Sequence, residues 1–250
     1  MDFAEAALLS GAALLGGAIN AVAGGGSFLT FPALLFTGTA PLAANATSTV
    51  ALWPGSVASA VGYRREVAGE GALVARLAPV SLAGGLAGAW LVILTPERVF
   101  AQLVPFLLLV AALVFTFGER LRAALAQRGT SSLAVLVAGQ AAISLYGGYF
   151  GGGMGLMMLA LFSLLGPRHL HAMNALKSVL GVAINLTALA AFVVAGKVDW
   201  PRAGLMTVAA VVGGYGGAAL ARRLDAARVK RAVIALGWAM TLAFFVKTFG

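Results

Sequence analysis

Long runs of apolar residues, separated by short polar breaks, dominate the chain. A helix needs about 20 apolar residues to cross a bilayer core of about 30 Å. Eight runs predict such spans, at residues 3–22, 43–62, 73–94, 99–117, 133–149, 170–195, 203–221 and 232–249. Two apolar segments, 28–36 and 156–165, are too short to cross as helices alone. Each is predicted to be a half-helix or a partly unwound crossing.

The same order of features occurs twice along the chain. Each short segment follows a glycine triplet, which is Gly24, Gly25 and Gly26 in the first copy and Gly151, Gly152 and Gly153 in the second. The helix predicted after each segment begins near an Asn-Ala pair, and Asn45 and Asn174 are 129 positions apart. Because glycine runs do not stabilise helices, the triplets predict two broken helices, which in membrane proteins line a site.

The repeat divides the chain into residues 1–117, a polar and basic linker at 118–132, and residues 133–250. If the short segments do not cross, the chain makes eight crossings, and the loops on the two sides hold nearly equal numbers of Lys and Arg. If each short segment crosses, each half makes five crossings and the two halves have opposite orientations. One side then holds twelve Lys and Arg residues, and the other holds four: Arg98, Lys197, Arg202 and Lys247. Basic residues favour the cytoplasmic side. The sequence therefore predicts inverted repeats, with both termini outside and the linker in the cytoplasm.

Composition supports an all-α polytopic protein of the cell membrane, in contact with the lipid bilayer. Hydrophobic residues make up 61% of the chain and charged residues only 10%, whereas soluble domains carry about 25% charged residues. Cysteine is absent, which excludes disulfides and thiolate sites, and no cofactor or metal site is expected. The net charge of +9 comes from residues at the ends of apolar runs, without a basic aromatic stripe, so no nucleic-acid partner is predicted.

Polar residues recur on one face of the helix after each short segment. The first helix carries Asn45, Ser48, Thr49, Ser56 and Ser59, and the second carries Asn174, Lys177, Ser178 and Asn185 at matching positions. Their spacing keeps them on one helical face. Polar groups that face lipid are costly, so this face is predicted to look into the protein. The alternative is that these groups hydrogen-bond between helices and bind nothing.

Lys177 is the one charged residue well inside a predicted span, and no Asp or Glu lies in the interior of a span to pair with it. A lone charge there costs roughly 2.5–3.5 kcal/mol on insertion scales. An anionic substrate would compensate this cost; the alternative is that the side chain snorkels to the interface. The glycine breaks favour the same sign of ligand, because backbone N–H groups and positive helix ends attract anions. Tight helix packing is the other explanation for these glycines.

Three features extend across both halves: the duplicated glycine triplet with its apolar segment, the stretch from Ala44 to Ser48, and Val198-Asp199-Trp200. In these features the chain resembles the TauE/SafE sulfite exporter family. It implies a membrane protein that moves sulfite, sulfonates such as sulfoacetate, or related small anions. The second copy departs from the family pattern with Met154-Gly155 after the triplet and Leu176-Lys177 where Thr-Ser is common.

These features predict a secondary transporter of small sulfur-containing anions that alternates access between two repeats. The predicted substrate-binding residues are Gly24, Gly25, Gly26, Ser27, Asn45, Ser48, Thr49, Gly151, Gly152, Gly153, Asn174, Lys177 and Ser178. No catalytic residue is predicted, because the spans lack the acids or embedded histidines that a membrane enzyme needs. A transporter or channel for another small solute and a non-transporting scaffold remain alternatives. The glycines in the stretches 84–88 and 213–217 predict close helix packing and are compatible with a homodimer.

Overall fold

The computed structural model describes residues 1–22, 25–128, 132–165, 170–220 and 226–249, and these residues form helices without a strand. The helices are α1 (Phe3–Val22), α2 (Ser27–Phe36), α3 (Pro41–Gly62), α4 (Arg64–Gly69), α5 (Gly71–Leu94), α6 (Glu97–Arg128), α7 (Leu133–Tyr149), α8 (Met154–Ser163), α9 (Leu170–Val194), α10 (Trp200–Leu220) and α11 (Ala226–Phe249). The predicted all-α class is confirmed, and every predicted apolar run contains a helix.

Four helices in the described ranges are long and apolar enough to cross a membrane, within α1, α5, α6 and α9. Helix α3 has the length but carries Asn45, Thr47 and Ser48, all buried, which lower its hydropathy. Helices α2 and α8 have ten residues each, so each is about 15 Å long, half the thickness of a bilayer core. The two short segments are therefore half-length helices, as predicted.

Two features add to the predicted pattern. Helix α6 continues to Arg128, so most of the predicted linker at 118–132 is helical. Glu, Arg, Ala and Leu fill this part of the chain, and all are strong helix formers that sustain a helix beyond its apolar part. Helix α4 is a short, unpredicted helix between α3 and α5, and none of its residues is buried.

Helices of each half pack mainly on helices of the other half. Helix α1 packs on α10, and its counterpart in the second half, α7, packs on α5; α3 packs on α10, and its counterpart α9 packs on α5. Small residues permit the close approach, as predicted for these glycines. A Cβ atom on Gly213 would lie 1.9 Å from the Leu14 carbonyl oxygen, and one on Gly88 would lie 2.1 Å from that of Leu145.

Corresponding helices of the two halves run in opposite directions where they meet. Along α3 and α9, Trp53 contacts Val182 and, further on, Ser59 contacts Ser178, so the residue number rises in one helix as it falls in the other. Helices α6 and α11 also run in opposite directions. Phe106 packs on Phe249, with ring centroids 5.9 Å apart, and Thr116 accepts a hydrogen bond from Trp238 at 3.1 Å.

Candidate substrate site

A glycine break precedes each half-length helix, and the backbone conformation at the breaks explains why glycine occurs there. Gly25 has φ of +101°, while Gly151 and Gly153 have φ of +80° and +79°. Side chains other than glycine rarely adopt this left-handed region. Phe31 of α2 packs edge-on against Phe150, with ring centroids 5.2 Å apart, which holds the two breaks side by side. Gly24 lies outside the described residues.

Both breaks open onto one cavity, which α3 and α9 also line. The space available to the centres of water molecules is about 70 Å³, enough for a few waters or a small anion, because one water needs roughly 10–15 Å³ on this measure. The cavity is lined by Asn20, Gly25, Ser27, Thr49, Leu52, Ser56, Ser59, Phe150, Gly151, Met154, Gly155, Met158, Lys177, Ser178, Gly181 and Asn185. Both repeats therefore contribute polar groups to the same space.

Lys177 brings a positive charge to this cavity. Its side chain is 6% exposed, and it forms neither a hydrogen bond nor an ion pair with any residue in the described ranges. Among the lining residues that the structure describes, no carboxylate accompanies it. A buried ammonium without a counter-charge pays for its lost hydration without compensation. Within the described lining, the positive charge of Lys177 is thus uncompensated.

The half-length helices add to this positive potential. Ser27 is the first residue of α2, and Met154 and Gly155 are the first residues of α8, and all three line the cavity. The N-terminus of a helix carries a partial positive charge and N–H groups that lack partners within the helix. Two helix starts and one ammonium therefore surround the same space, the combination that binds oxyanions in other proteins.

Hydroxyl and amide groups line the rest of the polar wall. Asn20 bridges α1 and α3, because its Nδ2 donates to the Ser56 hydroxyl at 2.9 Å. Its Oδ1 accepts the N–H of Gly25 at 3.2 Å, which fixes the first break. Thr49 donates its hydroxyl hydrogen to the Asn45 carbonyl at 2.9 Å, and the hydroxyls of Ser59 and Ser178 lie 3.4 Å apart. Within the described part of the chain, no group of three or more His, Asp and Glu residues is arranged to hold a metal ion.

Six of the thirteen predicted site residues line the cavity: Gly25, Ser27, Thr49, Gly151, Lys177 and Ser178. The polar pair Asn45 and Ser48 makes structural contacts instead. Asn45 donates from Nδ2 to the Tyr149 carbonyl at 2.9 Å, and the Ser48 hydroxyl lies 2.6 Å from that of Thr30. Asn174 does not line the cavity either.

Three of the predicted glycines serve packing at the breaks. A Cβ on Gly26 would lie 2.2 Å from the Gly16 carbonyl oxygen, so this glycine lets α1 and α2 approach closely. The Gly152 carbonyl accepts the hydroxyl of Tyr146 at 2.6 Å, and Gly153 faces Ala111 of α6. Direct contact between substrate and any predicted residue stays a prediction.

The predicted site set omitted several lining residues. Ser56, Ser59 and Asn185 continue the polar face of α3 and α9 by further helical turns, so the same periodicity contains their signal. Asn20 is an isolated polar residue at the end of an apolar helix, close to the glycine triplet, and that position was its signal. Met154, Met158 and Gly181 are apolar, and no sequence pattern distinguishes them from core residues.

Comparisons with known proteins agree with the membrane architecture. The family model described as "Sulfite exporter TauE/SafE" matches residues 9–244. The chain is 30% identical over 213 residues to "Probable membrane transporter protein YfcA" of Escherichia coli (strain K12), covering 85% of this chain and 77% of the relative. It is 29% identical over 239 residues to "Probable membrane transporter protein ORF9" of Sinorhizobium sp, covering 94% and 90% respectively.

A third relative is "Probable membrane transporter protein" of Haemophilus influenzae (strain ATCC 51907 / DSM 11121 / KW20 / Rd), 27% identical over 224 residues. That match covers 89% of this chain and 88% of the relative. No solved structure matches the chain. The family match spans nearly all of both halves, and the apolar helices are those of a multi-pass cell-membrane protein. The chain therefore belongs to the TauE/SafE sulfite exporter family and is a membrane transporter.

Proposed function

We propose that the protein is a secondary transporter that exports a small sulfur-containing anion, either sulfite or an organosulfonate. The observation that carries this proposal is Lys177, a buried ammonium without a partner among the described residues, in a cavity that two helix starts also face. An oxyanion would supply the missing counter-charge and accept hydrogen bonds from Lys177 and the surrounding hydroxyls. The family match supports the sulfur class of anion.

The proposed binding residues are the predicted ones that line the cavity, together with Asn20, Ser56, Ser59 and Asn185. The remaining predicted residues would hold the breaks and helices in place. The small volume favours an anion of a few non-hydrogen atoms. Sulfite and short sulfonates belong to this size class, and another small oxyanion is the second candidate. The predicted homodimer stays a prediction.

We further propose that the two halves are inverted repeats and that transport rocks one against the other. The opposite directions of α3 and α9, and of α6 and α11, support an axis that relates the halves and lies across the helices. The cavity at the junction of the halves is where such a motion would alternate access. A monoanion leaving a cell gains about 2.3 kcal/mol per 100 mV of inside-negative potential, so export would need no coupling ion.

The test is thermal stabilisation of the purified protein by sulfite, sulfate, thiosulfate, sulfoacetate, taurine and acetate. An anion present at about 100 times its dissociation constant should stabilise the protein by roughly 2.7 kcal/mol. We expect stabilisation by a sulfur oxyanion or sulfonate, which Lys177→Met abolishes and Lys177→Arg retains in part. Lys197→Met is the matched control, because Lys197 is exposed outside the helices.

Two outcomes would contradict the proposal. If no anion stabilises the protein, the anion class is wrong. If stabilisation survives Lys177→Met in full, Lys177 is not the counter-charge of the substrate. Stabilisation by acetate alone would favour the second candidate, another small anion. Flux of the binding anion from proteoliposomes, with and without an imposed membrane potential, then distinguishes an electrogenic exporter from a strict proton symporter.

A further inference from the structure

An ion-pair network joins the two halves at one end of the molecule. Arg202, in the first turn of α10, donates from Nε to the carboxylate of Glu5 at 2.8 Å and pairs through its other nitrogens with Glu5 and Asp199. A nitrogen of the same guanidinium lies 3.4 Å from the Thr37 carbonyl at the end of α2. The Asp199 N–H donates to the Thr47 hydroxyl at 3.0 Å. One arginine thus connects the start of α10 with α1, α2 and, through Asp199, α3.

The network lies at one end of the helix that lines the cavity. Along α3, Thr47 contacts the network, while Thr49, Ser56 and Ser59 line the cavity. Because the network crosses from the second half to the first, the halves cannot separate at this end while it is intact. Charge-assisted pairs through a planar guanidinium are directional, so a modest rotation of α10 would break them together.

The equivalent positions of the other repeat are different. The repeat offset of 129 relates Asp199 to Glu70 and Arg202 to Leu73. Glu70 and Leu73 line an open cleft of about 400 Å³, whose other lining residues are Gly69, Ala72, Arg76, Leu133, Leu136 and Leu165. The residue that matches Arg202 is therefore a leucine, and the second repeat has no arginine at this position.

We propose that the Glu5–Arg202–Asp199 network is a polar gate, which closes one end of the substrate path and separates when the transporter opens to that side. This inference rests on the proposed alternating access.

The absence of cysteine from the chain provides a direct test. Leu52 lines the cavity and is 7% exposed, so Leu52→Cys gives a single reporter thiol there. A charged, membrane-impermeant thiol reagent is applied to vesicles of each orientation, and the rate of modification is measured from each side. Adding Arg202→Gln should raise the rate from the network side by about tenfold, since the substitution removes charge-assisted bonds that hold that end closed.

Glu5→Gln is the second gate variant and should act in the same direction if Arg202→Gln does not fold. Arg98→Gln is the matched control, because Arg98 is an exposed arginine at the start of α6 and should leave the rate unchanged. Unchanged rates in a folded gate variant would overturn the gate. The readout needs no substrate, so faster labelling combined with failure of every anion to stabilise the protein would retain the gate and reject the proposed substrate class.

Discussion

Trp53 donates its indole N–H to the carbonyl of Val182 at 3.3 Å, and the two residues are 129 positions apart. That separation is the repeat offset, so the same position of the two repeats meets itself across the interface of α3 and α9. In the inverted-repeat arrangement proposed above, equivalent points would touch only on the axis that relates the two halves. The pair would then lie on this axis.

Trp53→Phe should destabilise the protein by at least about 0.5–1.5 kcal/mol, the net contribution of one hydrogen bond, because it removes the N–H donor together with part of the indole ring. The measurement is thermal unfolding in detergent. Trp90→Phe is the control, since Trp90 is 42% exposed on α5 and should change stability little. Equal effects of the two variants would show that the bond to Val182 does not stabilise the interface.

Gly88→Ala should destabilise the protein, because the added methyl group would force α5 away from α7. A Cβ at this position would meet the Leu145 carbonyl oxygen at 2.1 Å, and such overpacking costs about 1–3 kcal/mol. Gly11→Ala offers the opposite case within a helix, because nothing lies within 4 Å of its Cβ position. It should stabilise the protein by about 0.5–1 kcal/mol through helix propensity. Chemical unfolding in detergent gives both values, and a neutral Gly88→Ala would contradict the packing role.

Gly25→Ala combines two penalties at the first break. The left-handed backbone costs a residue with a Cβ about 1–2 kcal/mol, and the Cβ would lie 2.3 Å from the ring of Phe115. Gly38→Ala carries the backbone penalty alone, because its φ is +78° and nothing lies within 4 Å. We expect Gly25→Ala to unfold at a lower temperature than Gly38→Ala and to lose anion stabilisation. Identical behaviour of the two would place the Phe115 contact in doubt.

Asn45→Ala and Thr49→Val distinguish a structural residue from a lining one. Asn45 bonds the Tyr149 carbonyl across the two halves, so its loss should cost about 1–3 kcal/mol of stability. Anion affinity should change less. Thr49 lines the cavity, so Thr49→Val should weaken anion binding at a smaller cost in stability. The two parameters are measured by titration and by unfolding, and a reversed pattern would exchange the two roles.

Single cysteines test the inverted topology. Asp2 precedes α1 and Gln127 precedes α7 in the second repeat. If the repeats are inverted, an impermeant thiol reagent should label Asp2→Cys from outside and Gln127→Cys only from the cytoplasm, as the distribution of basic residues predicts. Labelling of both positions from the same side would reject the inversion. The chain contributes no other thiol, so each signal has one source.

The sequence contained most of the architecture because glycine and charge are strong local signals. The triplets predicted both breaks, since a left-handed backbone and a short helix leave an unmistakable pattern in an apolar chain. Lys177 could be identified because a charged side chain inside a span is energetically costly and therefore indicates a functional role. The end of α6 could not be identified, because a charged segment such as 119–128 is typical both of a polar linker and of a helix that continues into water.

The division between lining and packing residues could not be predicted. Ser48 and Thr49 are neighbours with the same chemistry, but one contacts Thr30 and the other lines the cavity. Helical periodicity assigns a residue to a face of its helix only to within about one residue, or about 100° of rotation around the axis. It does not show which neighbouring helix packs on that face. Asn45 carries the same polar signal as Thr49 but bonds Tyr149, a residue 104 positions away. Only the three-dimensional arrangement of α3 against the second break separates these cases.

Among the described residues that line the cavity, Lys177 is an ammonium without a carboxylate beside it, and this has a consequence for valence. With Lys177 charged, a bound monoanion brings the formal charge of the site to zero, whereas a dianion leaves it at minus one. The energy of enclosing an ion in a low-dielectric medium grows with the square of its net charge. If transport proceeds as proposed, the site therefore selects by charge: hydrogen sulfite and monoanionic sulfonates match it one to one, whereas sulfate and sulfoacetate exceed it.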